Sequence, residues 1–268
     1  MTDLIGTLAY SLARLYAGKV AKPRPAVWNP DNLWLKDRPA TTFRSRHPEH
    51  AFAKFLTEFE KHYTDAARGA ENLGSAADLP FIGANVLAGD PPTVVLSQRS
   101  YSSQPGSVSL WAMLFPFDDA VSEEYATTRE WRSWRSRYPQ YQRVICGNRP
   151  GLSFGLDPES LVVTDACPPP GCKDEPAFLN EFISALPRPR MVMSLGGDAA
   201  KRLNMEDRWR RLRDQQNGGR TIDPREAIGH LQDGVAVVVS PFVFGNNAKD
   251  LGGLHFMAAA EATRTLLA

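Results

Sequence analysis

Residues 191–201 read MVMSLGGDAAK, and this stretch decides the fold. A short apolar run passes through the paired glycines Gly196 and Gly197 into the helix-favouring residues that follow. An apolar run of strand length, bounded by a glycine turn and followed by a helix, reads as a parallel strand with its crossover. Three other stretches share the pattern of an apolar run ending in an unusual loop: VVLSQRSY at 94–101, LVVTDACPPPG at 161–171 and VAVVVSPFVFGNN at 235–247. Helix-length segments at 176–186 and 199–212 read as crossovers, and 254–267 reads as a closing helix. The expectation is a three-layer α/β/α domain around a central four-stranded parallel sheet. Ligands of such sheets bind beyond the carboxyl ends of the strands, so the four loops are expected to converge on one edge and build one site.

Upstream of the first strand, at 93–97, residues 2–18 carry Leu4, Ile5, Leu8, Leu12, Leu15 and Tyr16 at helical spacing. A proline-broken stretch at 22–39 follows, and then a second helix over 51–70 with Phe52, Phe55, Leu56, Phe59 and Tyr63 on one face. This N-terminal helical segment, 1–80, is expected to pack on the sheet domain of 81–268. A long insertion precedes Leu161, with a helix predicted over 122–138 that sets Trp131 and Trp134 beside Arg129, Arg132, Arg135 and Arg137.

The 268 residues suffice for one large domain, and 43% apolar with 23% charged residues is ordinary for a globular protein. A net charge of +1 carries no global signal for a polyanion, so a nucleic-acid surface would have to come from charge segregation. No apolar stretch approaches about 18 residues, so no membrane span is expected. Asp3 precedes the first apolar residues and no basic leader is present, so a cytoplasmic location is expected, and separately a monomer. Three cysteines are too few for a disulfide framework. Cys167 and Cys172 have no neighbouring histidines for zinc. No cofactor or metal is expected.

The order and content of the four loops resemble the uracil-DNA glycosylase superfamily. That family's first motif, Gly-Gln-Asp-Pro-Tyr, is matched by Ser97, Gln98, Arg99, Ser100 and Tyr101. Its second strand ends in an Asn that reads the base, and some branches continue Cys-x-Pro-Pro-Gly; here Asp165 is followed by Cys167, Pro168, Pro169, Pro170 and Gly171. The Gly-rich turn of the third motif is matched by Gly196 and Gly197. The final His-Pro-Ser-Pro-Leu is matched by Ser240, Pro241, Phe242, Val243 and Phe244. The resemblance covers roughly residues 80–268. Iron–sulfur branches of the family place a cluster ligand at Cys167, but such clusters need four thiolates and this chain has three cysteines.

The resemblance implies DNA as partner and a pocket that takes a nucleotide flipped out of the stack. It gives Gln98 the backbone N–H that faces the base, Tyr101 the place that crowds C5, and Trp111 a place near the stacking aromatic; Phe115 and Phe117 are alternatives. Gly196 and Gly197 would present bare N–H groups to phosphate, which a plain strand–helix turn explains equally. Phe244 would wedge into the vacated stack, Asn246, Asn247 and Lys249 follow at a spacing suited to phosphate contact, and Arg99 is a further DNA-binding candidate; Phe242 and Phe244 also suit a core.

Asp165 is the sharpest departure. An ionised carboxylate only accepts hydrogen bonds, so it suits a base offering an exocyclic amine, such as cytosine, and repels the O4 of uracil. The structural alternative is an Asp that caps the proline-rich turn. The water-activating Asp of the family is replaced by Arg99, which cannot serve as a base, and its anion-stabilising His by Ser240. A protonated Asp165, or Asn246, is then the candidate catalytic group beside Gln98. Unmodified cytosine is everywhere in a genome, so selectivity requires a mark. The resulting expectation is a glycosylase for hydroxymethylated or glucosylated cytosine, similar to antiphage members of the superfamily. A DNA or modified-base binder that has lost the chemistry is the alternative.

His255 is read as structural, and the basic segments 44–47, 129–143 and 208–220 as candidate phosphate contacts, with a solvated helix face the commoner explanation for the latter two. Gly151, Ser153 and Gly155 match a nucleophile elbow, but Pro150 before and Pro158 after point to a loop and a chance match.

Overall fold

The computed structural model describes residues 3–19, 43–67, 80–97, 138–166, 175–243 and 249–268. Helices α1 (Leu4–Lys19) and α2 (Ala51–Ala67) lead into the short strand β1 (Phe81–Ile82) and the single turn α3 (Ala84–Leu87). The Asp3 carboxylate accepts from the Gly6 backbone N–H at 3.1 Å and caps α1. Leu8, Leu12, Leu15 and Tyr16 on α1 meet Phe52, Phe55, Leu56 and Phe59 on α2 in one core that runs on into the sheet. Tyr16 reaches the Phe178 ring at 5.2 Å, and Phe52 meets Phe81 at 5.0 Å.

Strands β2 (Thr93–Ser97), β3 (Leu161–Asp165) and β4 (Met191–Leu195) are buried at every residue. Alternate side chains of a strand face opposite sides, so burial at every position means both faces of the sheet are covered. Helix α4 (Tyr138–Cys146) precedes β3, and α5 (Glu175–Ala185) joins β3 to β4. After β4 come α6 (Gly197–Arg202), α7 (Glu206–Asn217), β5 (Ile228–His230), β6 (Ala236–Ser240) and the closing helix α8 (Leu254–Leu267). Among the described residues, six strands lie in the order β1-β3-β2-β4-β6-β5. The inner four are parallel, and the two short edge strands pair antiparallel. This is a mixed α/β fold consistent with a generic α/β/α architecture.

Three sequence expectations are corrected. Among the described residues the four-stranded parallel core gains two edge strands, β1 and β5, which at two and three residues are too short for a periodicity signal. The single helix expected over 199–212 is two, broken where Asn204 takes φ 59°, a left-handed conformation that Asn tolerates. A helix predicted over 122–138 meets the structure only at Tyr138, where α4 begins and runs on to Cys146, which the sequence reading did not expect; the rest of that prediction lies outside the described residues. The loop expected at Ser153 is a loop, preceded by α4 rather than by a strand. Its hydroxyl donates to the Arg149 carbonyl at 2.9 Å, so no nucleophile elbow forms.

Candidate functional site

Four parallel strands send their carboxyl ends to one edge of the sheet. There β2 ends at Ser97, β3 at Asp165, β4 at Leu195 and β6 at Ser240. The chain leaves β2 for β3 on one side, and β4 then lies on the other side of β2. That reversal makes a crevice between the ends of β2 and β4, where sheets of this kind hold ligands. Leu96 pairs with Thr164 and with Ser194, and Ser194 with Val239. The residues one step further on, Ser97, Asp165, Leu195 and Ser240, therefore share the opposite face.

Asp165 is 3% exposed and sits beside Ser97, whose carbonyl accepts from the Ala166 N–H at 3.0 Å. Ser240 is fully buried, and its hydroxyl donates to the Pro241 carbonyl at 3.1 Å. Its own carbonyl accepts from the Gly196 N–H at 2.9 Å and ties the ends of β4 and β6 together. With neighbouring strands about 4.8 Å apart, Asp165 and Ser240 stand roughly 14 Å from each other. Both occupy the edge and face that the sequence reading assigns to one site, without touching.

Each glycine of the pair has a local reason. Gly196 lies at φ 91°, ψ 172°, a region essentially restricted to glycine. A Cβ on Gly197 would come within 3.3 Å of the Trp209 ring. Lys249 is exposed and has no ion-pair partner among the described residues. Gln98, Arg99, Tyr101, Trp111, Phe244, Asn246 and Asn247 lie outside the described residues.

Next to this edge, a cleft of about 370 Å³ opens beyond β4 and β6. Gly196, Gly197, Asp198 and Lys201 line it from α6, and Glu206, Trp209, Arg210, Arg213 and Gln216 from α7. Pro241, Phe242, Asp250 and His255 complete the wall. Arg213 lies over the Trp209 ring at 5.1 Å, and Arg210 pairs with Glu206 at 2.6 Å. Gln216 accepts from the His255 backbone N–H at 3.0 Å and so couples α7 to the start of α8.

His255 has the structural role expected of it, and a defined one. Strand β5 pairs with β6 only as far as Val238, and the Ser240 carbonyl already faces β4. The Val239 carbonyl thus points past the end of β5, and His255 Nε2 meets it at 3.0 Å as donor. The ring is 1% exposed. Burial lowers its pKa to about 4; the Val239 hydrogen bond works against this and Arg213 adds to it. His255 is therefore neutral at pH 7, with Nδ1 left as an acceptor.

The sequence reading missed this cleft because it assigned 208–220 to phosphate contacts or a solvated face. The available signal was periodicity: Glu206, Trp209, Arg213 and Gln216 recur every three or four residues and share one face of α7. No protein-family model matches the chain, and neither does any curated protein.

Proposed function

We propose that the chain is a DNA glycosylase that flips out and excises a modified base, a C5-modified cytosine carrying a hydroxymethyl or glucosylated hydroxymethyl group. The product would be an abasic site, and the role a defence against phage DNA bearing such bases. The motif order resembles the uracil-DNA glycosylase superfamily. The observation that carries the reading is Asp165, a carboxylate buried at the carboxyl end of β3, beside the crevice of a parallel sheet. A carboxylate there accepts from an exocyclic amine and rejects a carbonyl, which selects cytosine over uracil. Protonated, the same group could pass its proton to the departing base.

Ser240 favours a second reading. Where the family carries a histidine, this chain has a fully buried hydroxyl bonded to the next carbonyl, a poor stabiliser of a base anion. A binder of modified bases that cuts nothing is the alternative.

The test is abasic-site formation on matched DNAs carrying uracil, cytosine, hydroxymethylcytosine or its glucosylated form, with wild type and Asp165→Asn in parallel. We expect cleavage of a modified-cytosine strand alone, reduced by about 10²–10⁴ in the nearly isosteric variant, as for loss of a general acid. Full activity in Asp165→Asn refutes the assigned role. Tight binding without cleavage of any strand supports the second reading.

A further inference from the structure

The cleft beyond β4 and β6 is built unlike a phosphate site. Its walls carry three basic side chains, Lys201, Arg210 and Arg213, against three acidic ones, Asp198, Glu206 and Asp250. The charges balance, so the side chains offer an anion no excess of cations. His255 belongs to the cleft wall but is only 1% exposed, so its ring, held by the Val239 carbonyl, reports on what the cleft holds. The volume, about 370 Å³, falls at the small end of the roughly 300–1,000 Å³ in which proteins hold small ligands.

We propose that this cleft is a subsite for an uncharged, polyhydroxylated group of hexose size. Each hydroxyl of such a group both donates and accepts, which matches walls where donors (Lys201, Arg213) and acceptors (Asp250, Glu206) are interleaved. Phe242 offers an apolar surface for the sugar's C–H face. The position is suitable too. Gly196, at the near wall, follows β4, two strand positions from Asp165 and so roughly 10 Å away. A substituent on a base read at Asp165 would have that distance to span to reach the cleft. The source of the sugar rests on the base-excision reading; recognition of the sugar by the cleft does not.

The test has two arms. In the first, the isotope-labelled full chain is titrated with each anomer of methyl glucoside, and separately with inorganic phosphate, while the His255 ring resonances are followed by NMR. We expect a saturable shift with one glucoside, none with phosphate, and loss of the response in Arg213→Ala and Asp250→Ala with the amide spectrum otherwise retained. A response to phosphate, or none to either glucoside, overturns the subsite. In the second arm, kcat/KM is compared on DNAs carrying glucosylated and plain hydroxymethylcytosine. Arg213→Ala should lower the ratio of the two by about tenfold, the effect of one lost hydrogen-bonding partner. An equal loss on both DNAs overturns the subsite. If wild type cuts neither DNA, the excision reading fails, and the titration alone decides the cleft.

Discussion

His255 enters the fold as a hydrogen-bond donor to a strand carbonyl that no neighbouring strand can reach, and this fixes its charge state. Its folded pKa of about 4 lies below the ordinary 6.5 because the ring is buried. Between those two values the unfolded chain binds a proton that the folded chain does not, so stability falls as pH drops from about 6.5 to about 4. The loss over that window is roughly 3 kcal/mol. Urea unfolding across a pH series should show this slope, and His255→Gln, which keeps an N–H but cannot titrate, should flatten it. An unchanged slope in the variant would assign the effect to other groups. Gly196 is the second residue under tight local constraint. At φ 91° an alanine is strained whatever the space around it, and Gly196→Ala is expected to cost about 1–3 kcal/mol. A melting temperature equal to wild type would show that the turn can relax.

At the scale of elements, the inner strands and their polar ends do different work. Val94, Val95, Val162, Val163, Val192 and Met193 are buried and hold the sheet, whereas Ser97, Asp165 and Ser240 stand at the carboxyl ends of their strands. The edges are closed by β1 and β5, too short to template pairing with another chain. Helix α1 is latched by Tyr16, whose ring meets both Phe59 and Phe178 edge-on. Tyr16→Ala should destabilise the protein by roughly 3–5 kcal/mol, as for other buried aromatic truncations, measurable by chemical denaturation. A loss under about 1 kcal/mol would mean that α1 contributes little beyond its own helix.

For the molecule as a whole, the buried residues of α1 and α2 belong to the same core as the sheet. The N-terminal helical segment is thus expected to fold with residues 81–268 rather than as an appendage. A chain lacking residues 1–67 would expose Phe81 and Phe178 and should lose cooperative unfolding in calorimetry. A sharp transition in the shortened chain would show that the remainder folds alone. Among the described residues no helix is long and apolar enough to cross a membrane. Much of this architecture was legible beforehand: β2 at 93–97, the parallel core and the closing helix all follow from runs whose length and glycine boundaries leave little choice. The cleft was not legible in the same way. The charge pattern of α7 fits an ordinary solvated face, and only the packing of α7 against α6 and the residues after β6 turns that face into a wall.

The sequence by itself determined the inner strands, their direction and the side on which their unusual loops emerge, because hydrophobic periodicity and glycine turns are local properties of a chain. It also placed Asp165 at the end of a strand. Only the tertiary structure decided that Asp165 and Ser240 share a face, that His255 completes an unpaired strand carbonyl, and that two acids 52 residues apart in sequence, Asp198 and Asp250, line one cleft. Those facts depend on strand order and on where each strand stops, and both are set by contacts between segments distant in the chain.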